Sequence, residues 1–408
     1  MFIFFSLLSK FSHSLSYSSP LKPLFLVPGF MGSILRGNIT SKPYWYCPKL
    51  DDSPVWINDM YIIPPLHNCM IDHIGLRWDN ETNQPIAKDG VSIDVVDFGG
   101  LSGITSVDTA FDEFHVVPLL KKLEDRLFDL GYVERETLFG VPNDWRFGIY
   151  HPKSYWEQCR LLIEDAYEKN QQQKVVLFGH SMGTTVIQYF LMNHSTPEWR
   201  HKYIDSIIYI APSITGSFTA FQVMWTHKIP GLEFLGEYPE TIPKLGGVSV
   251  HMPNAEVFAN KTMYIDENGK QYTGKDLKKI LKENGKIDGD PDILKIYQTN
   301  EFFTQSIPTP LDLPCALLYV DGLETVEALD RSKGTDEFIS GMGDQEINAE
   351  GPEFLCNKWN TTYKVDCLRY VSHSSLVSHL SIVWQEETIQ FVIDHLMNDD
   401  WKVLRKNE

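Results

Sequence analysis

Short apolar runs alternate with helical patterns along much of the chain. Largely apolar stretches of strand length lie at 24–27, 137–141, 175–178, 204–210 and 315–320. Such runs have no polar face, which is typical of strands that are covered on both sides of a sheet. They predict a central sheet inside the core.

Helical spacing fills the intervals between these runs. Leucines recur at helical spacing over 119–130, and Gly131 is a suitable helix stop. Further helical patterns cover 154–169 and 182–193. Because strands that alternate with helices need crossover connections, the pattern predicts an α/β fold with a mostly parallel sheet.

Two other regions do not follow this alternation of strands and helices. Residues 43–100 are irregular and rich in Trp, Pro, Asp and Gly, and 213–310 holds few strand signals. We interpret 213–310 as a cap or lid over the sheet, so that 20–408 forms one domain. A chain of 408 residues is long enough to bury a large core.

A glycine-flanked serine follows one of the predicted strands. The segment Gly179-His-Ser-Met-Gly183 is a G-x-S-x-G motif between an apolar run and a helical pattern. In that context the motif makes a tight strand-to-helix turn that exposes the serine hydroxyl above the sheet. We therefore predict Ser181 as a nucleophile, although the pattern alone would also fit an ordinary turn.

A serine nucleophile needs an oxyanion hole and two catalytic partners. Met182, the residue after the serine, supplies one amide in this fold, and we expect Phe30, in the loop after the first predicted strand, to supply the other. The acid and the histidine should follow the serine along the chain. Four residues of late loops satisfy that order and stay open at this point: Asp321, Asp344, His373 and His379.

The net charge and the cysteine and histidine pattern limit the kinds of partner and cofactor that we expect. The 36 Lys and Arg against 54 Asp and Glu give a net charge of −18. This charge repels phosphate backbones and anionic lipid, so we expect no nucleic-acid partner and a mainly apolar contact with any membrane. Because no Cys/His motif has zinc-ligand spacing, we expect no metal and no other cofactor. We also expect a monomer.

The start of the chain suggests a secretory signal peptide. Residues 1–8 are apolar and a Ser-rich stretch follows, although no Lys or Arg precedes the apolar run. We predict a signal peptide over 1–19, with an apolar tail as the alternative. Six cysteines fit the same route, as do five Asn-x-Ser/Thr acceptors, which are Asn38, Asn80, Asn193, Asn260 and Asn360.

Several motifs occur in an order that resembles the lecithin:cholesterol acyltransferase family, which includes lysosomal phospholipase A2. The resemblance spans residues 20–395, and the order of its motifs is far more specific than the serine motif alone. The matching pieces are Leu-Val-Pro-Gly at 26–29, Cys47, Trp56-Ile-Asn, Cys69-Met-Ile-Asp72, Trp78-Asp-Asn-Glu-Thr82, Pro142-Asn-Asp-Trp-Arg146, His180-Ser-Met-Gly183 and Ala211-Pro212.

The resemblance implies an α/β-hydrolase fold and assigns residues to roles. It implies Ser181 as the nucleophile, Asp344 as the acid and His379 as the base. After Asp344 this chain has Gln-Glu-Ile, where the family has a small residue and Thr-Val. Two disulfides are also implied, Cys47–Cys69 and Cys315–Cys356.

The resemblance makes 43–75 a membrane-binding insertion. We expect its apolar and aromatic side chains to contact lipid, with packing on the sheet as the alternative for each; they are Trp45, Trp56, Tyr61, Ile62, Ile63 and Leu66. In the cap, Phe221 and Trp225 are expected to form a lid over an acyl channel, with core packing as the alternative.

The implied activity is that of a serine phospholipase A and acyltransferase. Such an enzyme cleaves a phospholipid acyl ester through an acyl-enzyme and passes the chain to water or to a lipid alcohol of sterol or ceramide type. The expected partner is a phospholipid membrane or lipoprotein-like surface, and the expected location is extracellular or the lysosomal or vacuolar lumen. Two alternatives stay open: a carboxylesterase or neutral lipid lipase with the same triad, and an inactive lipid-binding protein on this scaffold.

Overall fold

The structure is a computed structural model. It describes residues 21–106, 119–229, 231–233, 236–306, 308–360 and 365–402. The predicted signal peptide, 1–19, lies outside the described residues, and that prediction stays open.

A six-stranded parallel sheet forms the centre of the molecule. Its strands are β1 (Leu24–Val27), β7 (Leu138–Gly140), β8 (Val175–His180), β9 (Ile204–Ile210), β12 (Cys315–Asp321) and β15 (Val365–Val371). Their spatial order is β15-β12-β9-β8-β1-β7, and every adjacent pair is parallel. Each apolar run of the sequence is one of these strands, as predicted.

Helices cover both faces of this sheet. They are α3 (Lys121–Asp129), α4 (Lys153–Lys169), α5 (Met182–Asn193), α6 (Pro197–Tyr203), α11 (Glu350–Trp359) and α12 (Glu386–Met397). Alternate residues of β8 enter different cores: Val175 and Leu177 belong to one apolar cluster, and Val176 and Phe178 to the other. Burial on both faces is why this strand has no polar alternation.

The region expected to be irregular, 43–100, contains two small antiparallel sheets, so that prediction is wrong. Its elements are β3 (Leu50–Trp56), α1 (Asp59–Ile62), α2 (His67–Ile74), β4 (Leu76–Asp79), β5 (Gln84–Ala87) and β6 (Val91–Val95), and the strand β2 (Leu35–Ile39), just before the region, pairs with two of them. The sheets pair as β3-β2-β6 and β4-β5. These strands are short and partly exposed, so they leave no apolar run for sequence reasoning to find.

The cap region shares a sheet with a hairpin that follows the central strand β12. The cap elements are α7 (Phe218–Thr226), α8 (Gly246–Ser249), β10 (Thr262–Ile265), β11 (Gln271–Thr273), α9 (Leu277–Glu283) and α10 (Pro291–Thr299). The hairpin is β13 (Leu323–Asp330) and β14 (Glu337–Gly343), and the four strands pair in the order β11-β10-β13-β14. Short 3₁₀ helices complete the chain at Trp145–Phe147, Ile242–Lys244, Gly274–Asp276, Ser381–Trp384 and Asp400–Lys402.

One of the two expected disulfides is present and the other is corrected. Cys47 and Cys69 are bonded, as the resemblance implied. Cys356 is bonded to Cys367 rather than to Cys315, which is a free thiol buried on β12. The reason is topological: β15 is an edge strand beside α11, whereas β12 lies inside the sheet.

Candidate active site

The strand β8 ends in a sharp turn that presents Ser181. The serine has φ 53° and ψ −125°, a left-handed conformation that is uncommon for a residue with a side chain. Its amide donates to the carbonyl of Ile210 on the neighbouring strand, and α5 begins at the next residue. Gly183 lies so close to β1 that a Cβ there would be 2.1 Å from the carbonyl oxygen of Val27. The turn therefore needs its second glycine.

His379 lies between the serine and a carboxylate. Its Nε2 is 2.7 Å from Ser181 Oγ, and its Nδ1 is 2.7 Å from Asp344 Oδ2. All three side chains are buried. Because a carboxylate only accepts, Nδ1 carries the proton and Nε2 is free to accept the serine proton. The structure thus brings together the serine, acid and histidine that the sequence analysis assigned.

The carboxylate of Asp344 is held from both sides. Its Oδ1 accepts the amides of Glu346 at 3.0 Å and Ile347 at 2.6 Å, and Oδ2 faces the imidazole. The main chain repeats this pairing, since the His379 amide donates to the Asp344 carbonyl. Asp344 follows the hairpin of β13 and β14, which carries the acid beyond the end of the central strand.

The other candidates have different partners. Asp321, at the end of β12, forms an ion pair with Arg369 and accepts the Gly322 amide. His373 is exposed on the loop before His379. None of these side chains contacts Ser181. The geometry therefore favours Asp344 as the acid and His379 as the histidine.

Charges around the imidazole favour its protonated form. Burial lowers the pKa of His379, but the negative charges of Asp344 and Glu346 outweigh burial and raise it to about 9. Two further histidines line the same cavity, and burial lowers the pKa of each, His180 and His251, to about 3. They stay neutral, and His180 Nε2 donates to the His379 carbonyl at 2.9 Å.

The loop after β1 packs directly on the nucleophile. A Cβ at Gly29 would lie 2.8 Å from Ser181 Cβ, so only glycine permits this approach. Asn143 Nδ2 donates to the Pro28 carbonyl, and the Phe30 ring packs edge-on against Trp145. The predicted oxyanion residues therefore flank the serine, Phe30 from this loop and Met182 as the first residue of α5. Their role as amide donors stays a prediction.

A cavity of about 300 Å³ opens onto the serine. Its wall is mainly apolar. It is formed by the loop after β1, by β3, by the cap and by the loop that carries His379. Residues on this wall include Trp56, Leu119, Ala220, Val223, Ile229, Leu232, Val248, Ile347 and Leu380. Polar side chains also line the cavity, Glu346 and His251 among them. A long apolar chain would fit such a wall.

The expected lid residues point away from this cavity. Phe221 and Trp225 are buried and stacked on each other, and neither lines the cavity. Trp225 Nε1 donates to Asp336 at the far side of the hairpin. The prediction for these two side chains is corrected: the same helix turns its other face, Ala220 and Val223, to the cavity.

The expected membrane-contacting side chains fall into two groups. Trp45 is 90% exposed and Ile63 is 61% exposed, as a membrane-facing surface requires. Trp56 and Tyr61 are buried, so their predicted contact with a membrane is corrected, although Trp56 lines the cavity. Leu66 is half-buried, and the side chain of Ile62 lies outside the described residues.

Sequence reasoning missed three polar groups of the site. Glu346 was noticed only as a departure from the family motif, yet it lines the cavity. His251 Nε2 accepts from Ser213 Oγ at 2.9 Å, and nothing in the sequence around either residue indicated this pair. Among the described residues no cluster of His, Cys, Asp or Glu could hold a metal, and no helix is long and apolar enough to cross a bilayer.

The central sheet and the serine turn define an α/β hydrolase with a serine at the nucleophile position. The family model of lecithin:cholesterol acyltransferase matches residues 52–299, more than half of the chain. The chain therefore belongs to the lecithin:cholesterol acyltransferase family, and the resemblance is confirmed. The matched region includes Ser181, whereas Asp344 and His379 lie beyond it.

Individual relatives match over most of their length. The chain is 25% identical to the phosphatidylcholine-sterol acyltransferase of Gallus gallus, covering 90% of this chain and 88% of that protein. It is 25% identical to the lysosomal phospholipase A and acyltransferase of Bos taurus, with 84% of each covered. The lecithin-cholesterol acyltransferase-like 1 of Arabidopsis thaliana is 24% identical, with 94% and 92% covered. Among solved structures, the Tle4–Tli4 complex contains a chain of the same fold, with a TM-score of 0.52 at 12% identity, covering 92% of this chain and 98% of that chain.

Proposed function

We propose that this protein is a serine phospholipase A and acyltransferase. It cleaves an acyl ester of a phospholipid and passes the acyl chain to water or to a lipid alcohol. The observation that carries the proposal is the chain of contacts from Ser181 through His379 to Asp344 at the base of an apolar cavity. Family membership supports the lipid substrate.

Each residue has the role that is usual for its position in a serine triad. Ser181 Oγ attacks the ester carbonyl while His379 Nε2 takes its proton, and that proton then goes to the departing lysophospholipid. Asp344 orients the imidazole and stabilises its charged form. The amides of Phe30 and Met182 stabilise the oxyanion; loss of one such donor typically costs ~10²–10³ in rate.

Access to lipid is through the surface around the insertion at 43–75. Trp45 and Ile63 stand on that surface, and the Cys47–Cys69 disulfide closes the segment behind them. A large exposed apolar surface is typical of a protein that binds a membrane. We infer that these side chains enter a phospholipid or lipoprotein-like surface and bring the cavity to it.

A secretory route completes the proposal. Two disulfides are present, which is typical of an oxidising compartment. All five glycosylation acceptors, Asn38, Asn80, Asn193, Asn260 and Asn360, are exposed in the structure. We infer an extracellular or lysosomal-type lumenal location and glycosylation at these asparagines.

The deciding experiment uses phosphatidylcholine liposomes that contain cholesterol, at pH 4.5 and 7.4. Fatty acid, lysophosphatidylcholine and acylated cholesterol are followed by mass spectrometry. We expect turnover by the wild type and a loss of at least ~10⁴-fold for Ser181→Ala and His379→Ala, because triad members act as one unit.

The matched control is His373→Ala, an exposed histidine of the same loop that touches no triad member. It should keep full activity. A folded wild type that binds the liposomes and releases neither fatty acid nor acyl ester would overturn the proposal. Turnover of triacylglycerol or of soluble esters alone would replace it with a neutral lipase or carboxylesterase.

A further inference from the structure

A second carboxylate faces the catalytic imidazole from the cavity side. Glu346 Oε2 lies 3.8 Å from His379 Nε2, the nitrogen that also contacts Ser181. The glutamate side chain is 53% exposed at the cavity mouth. Asp344 holds the opposite nitrogen, so the two carboxylates occupy different sides of the ring.

The turn that carries Glu346 is fixed by its main chain. The Glu346 amide donates to Asp344, and the Glu346 carbonyl accepts from the hydroxyls of Ser217 and Thr219 at the start of α7. Within the described part of the chain, His379 is the only cation-forming group within ion-pair distance of the carboxylate. Its oxygens are thus available to a molecule in the cavity.

The position matters for the second half of the reaction. The alcohol or water that receives the acyl chain must place its hydroxyl oxygen beside His379 Nε2, to which it gives its proton. An oxygen there, at hydrogen-bond distance from Nε2, is also within reach of Glu346 Oε2. A carboxylate can only accept hydrogen bonds, so it needs a second donor on the acceptor molecule.

Acceptors differ in whether they have that second donor. A lipid alcohol with one isolated hydroxyl gives its only proton to the histidine and leaves the carboxylate facing carbon. A 1,2-diol offers a second hydroxyl on the neighbouring carbon, and water offers a second O–H. The half-exposed carboxylate keeps water as its partner beside an isolated hydroxyl, whereas a diol adds a charge-assisted hydrogen bond to it, so the two classes should bind unequally.

We propose that Glu346 is an acceptor-binding residue that selects acyl acceptors with a second hydroxyl beside the reacting one. This inference rests on the proposed function and adds the class of acceptor to it. The carboxylate favours 1,2-diols and water over alcohols with an isolated hydroxyl.

The transfer step leaves Glu346 unchanged. The reacting oxygen of the diol bonds to the acyl carbon while its proton moves to His379 Nε2. The tetrahedral intermediate collapses, the bond from the acyl carbon to Ser181 Oγ breaks, and His379 returns the proton to the serine. Glu346 only accepts the hydrogen bond of the second hydroxyl throughout.

The test is a competition in one vessel. Phosphatidylcholine liposomes carry equal amounts of 1-hexadecanol and 1,2-hexadecanediol at pH 7.4 and, because burial raises the pKa of Glu346, also at pH 8.5. The two acyl esters and free fatty acid are measured by mass spectrometry. We expect the wild type to favour ester formation at the diol's primary hydroxyl by about tenfold, the effect of one charged hydrogen bond. For Glu346→Ala the ratio should fall to about one.

Because both acceptors meet the same acyl-enzyme, the ratio does not depend on how much variant is folded. Glu353→Ala, a carboxylate on α11 that does not line the cavity, should keep the wild-type ratio. Equal use of the two alcohols by the wild type, or an unchanged preference in Glu346→Ala, would overturn the inference while leaving the phospholipase proposal intact. Absence of any acyl release would instead overturn the proposed function.

Discussion

Single residues decide how closely the parts of the site approach. Gly29 and Gly183 lie where a Cβ would collide with Ser181 or with the Val27 carbonyl. Ser181 itself takes the left-handed conformation that directs its hydroxyl to His379. The G-x-S-x-G pattern could be identified in the sequence because these constraints are local.

The charges that face His379 predict the pH dependence of the reaction. Its pKa is raised by Asp344 and Glu346, while His180 and His251 stay neutral. Since only the neutral imidazole can take the serine proton, kcat/KM should fall as the pH drops through this raised pKa. Glu346→Gln removes one negative charge, so the pKa should decrease and the acidic limb should move to lower pH.

This prediction is checked by the pH profile of kcat/KM on a short-chain ester for the wild type and Glu346→Gln. Glu353→Gln serves as the control and should leave the profile in place. An acidic limb at the same pH in Glu346→Gln, or one moved to higher pH, would contradict the charge argument.

Among the elements, the helix α7 has one face toward the cavity and another toward the core. Val223 and Ala220 line the cavity, whereas Phe221 lies in the core between Phe218 and Trp225. Helical spacing places such residues on opposite sides of the axis. The sequence showed that Phe221 and Trp225 are apolar, but it did not show which side chains of this segment face the cavity.

Val223→Trp should fill part of the cavity and leave the fold intact. We expect a drop of at least ~10-fold in kcat/KM for long-chain phosphatidylcholine and little change for a two-carbon ester. Phe221→Ala should behave differently, with a destabilisation of about 3–5 kcal/mol seen in thermal unfolding. Equal losses on short and long esters in Val223→Trp would show that this face does not hold the acyl chain.

The disulfide between α11 and β15 can be tested by determining which cysteines are bonded to each other. Non-reducing digestion should yield a peptide pair linked through Cys356 and Cys367, which are 11 residues apart. Cys367→Ser should lower the free energy of unfolding by roughly 2–3 kcal/mol, because the cross-link restricts the unfolded chain. Cys315→Ser should keep the linked pair, and its loss there would favour the pairing expected from the resemblance.

At the scale of the whole molecule, the net charge opposes binding to a membrane, whereas the exposed aromatic surface favours it. A net charge of −18 repels anionic lipid. Trp45 and Ile63 instead offer apolar surface. Contact with a bilayer should therefore depend on apolar burial and respond little to salt.

Trp45→Ala should weaken binding to neutral phosphatidylcholine vesicles by about tenfold, because a large apolar side chain no longer leaves water. Vesicle flotation at low and high salt measures this effect. Leu161→Ala, which removes an exposed leucine of α4, is the control and should bind normally. Unchanged flotation of Trp45→Ala would place the membrane-binding surface elsewhere.

Local patterns of residues were enough to predict the central strands, the helices between them and the serine turn. These depend on periodicity and on glycines at fixed spacing, which are properties of neighbouring residues. The short strands of the insertion at 43–100 were missed because their alternation is interrupted by exposed polar residues. The family motifs added the acid and the histidine, since residues alone left Asp321 and His373 as equal candidates.

The remaining contacts depend on how distant parts of the chain pack together. The hairpin of β13 and β14 carries Asp344 to His379 and leaves Asp321 to Arg369, and it also brings Glu346 to the cavity. Strand order places β15 beside α11 and so pairs Cys356 with Cys367. These outcomes join residues that are far apart in the chain. The spacing of neighbouring residues does not determine which distant residues meet. Those contacts form when the sheet and the cap pack together.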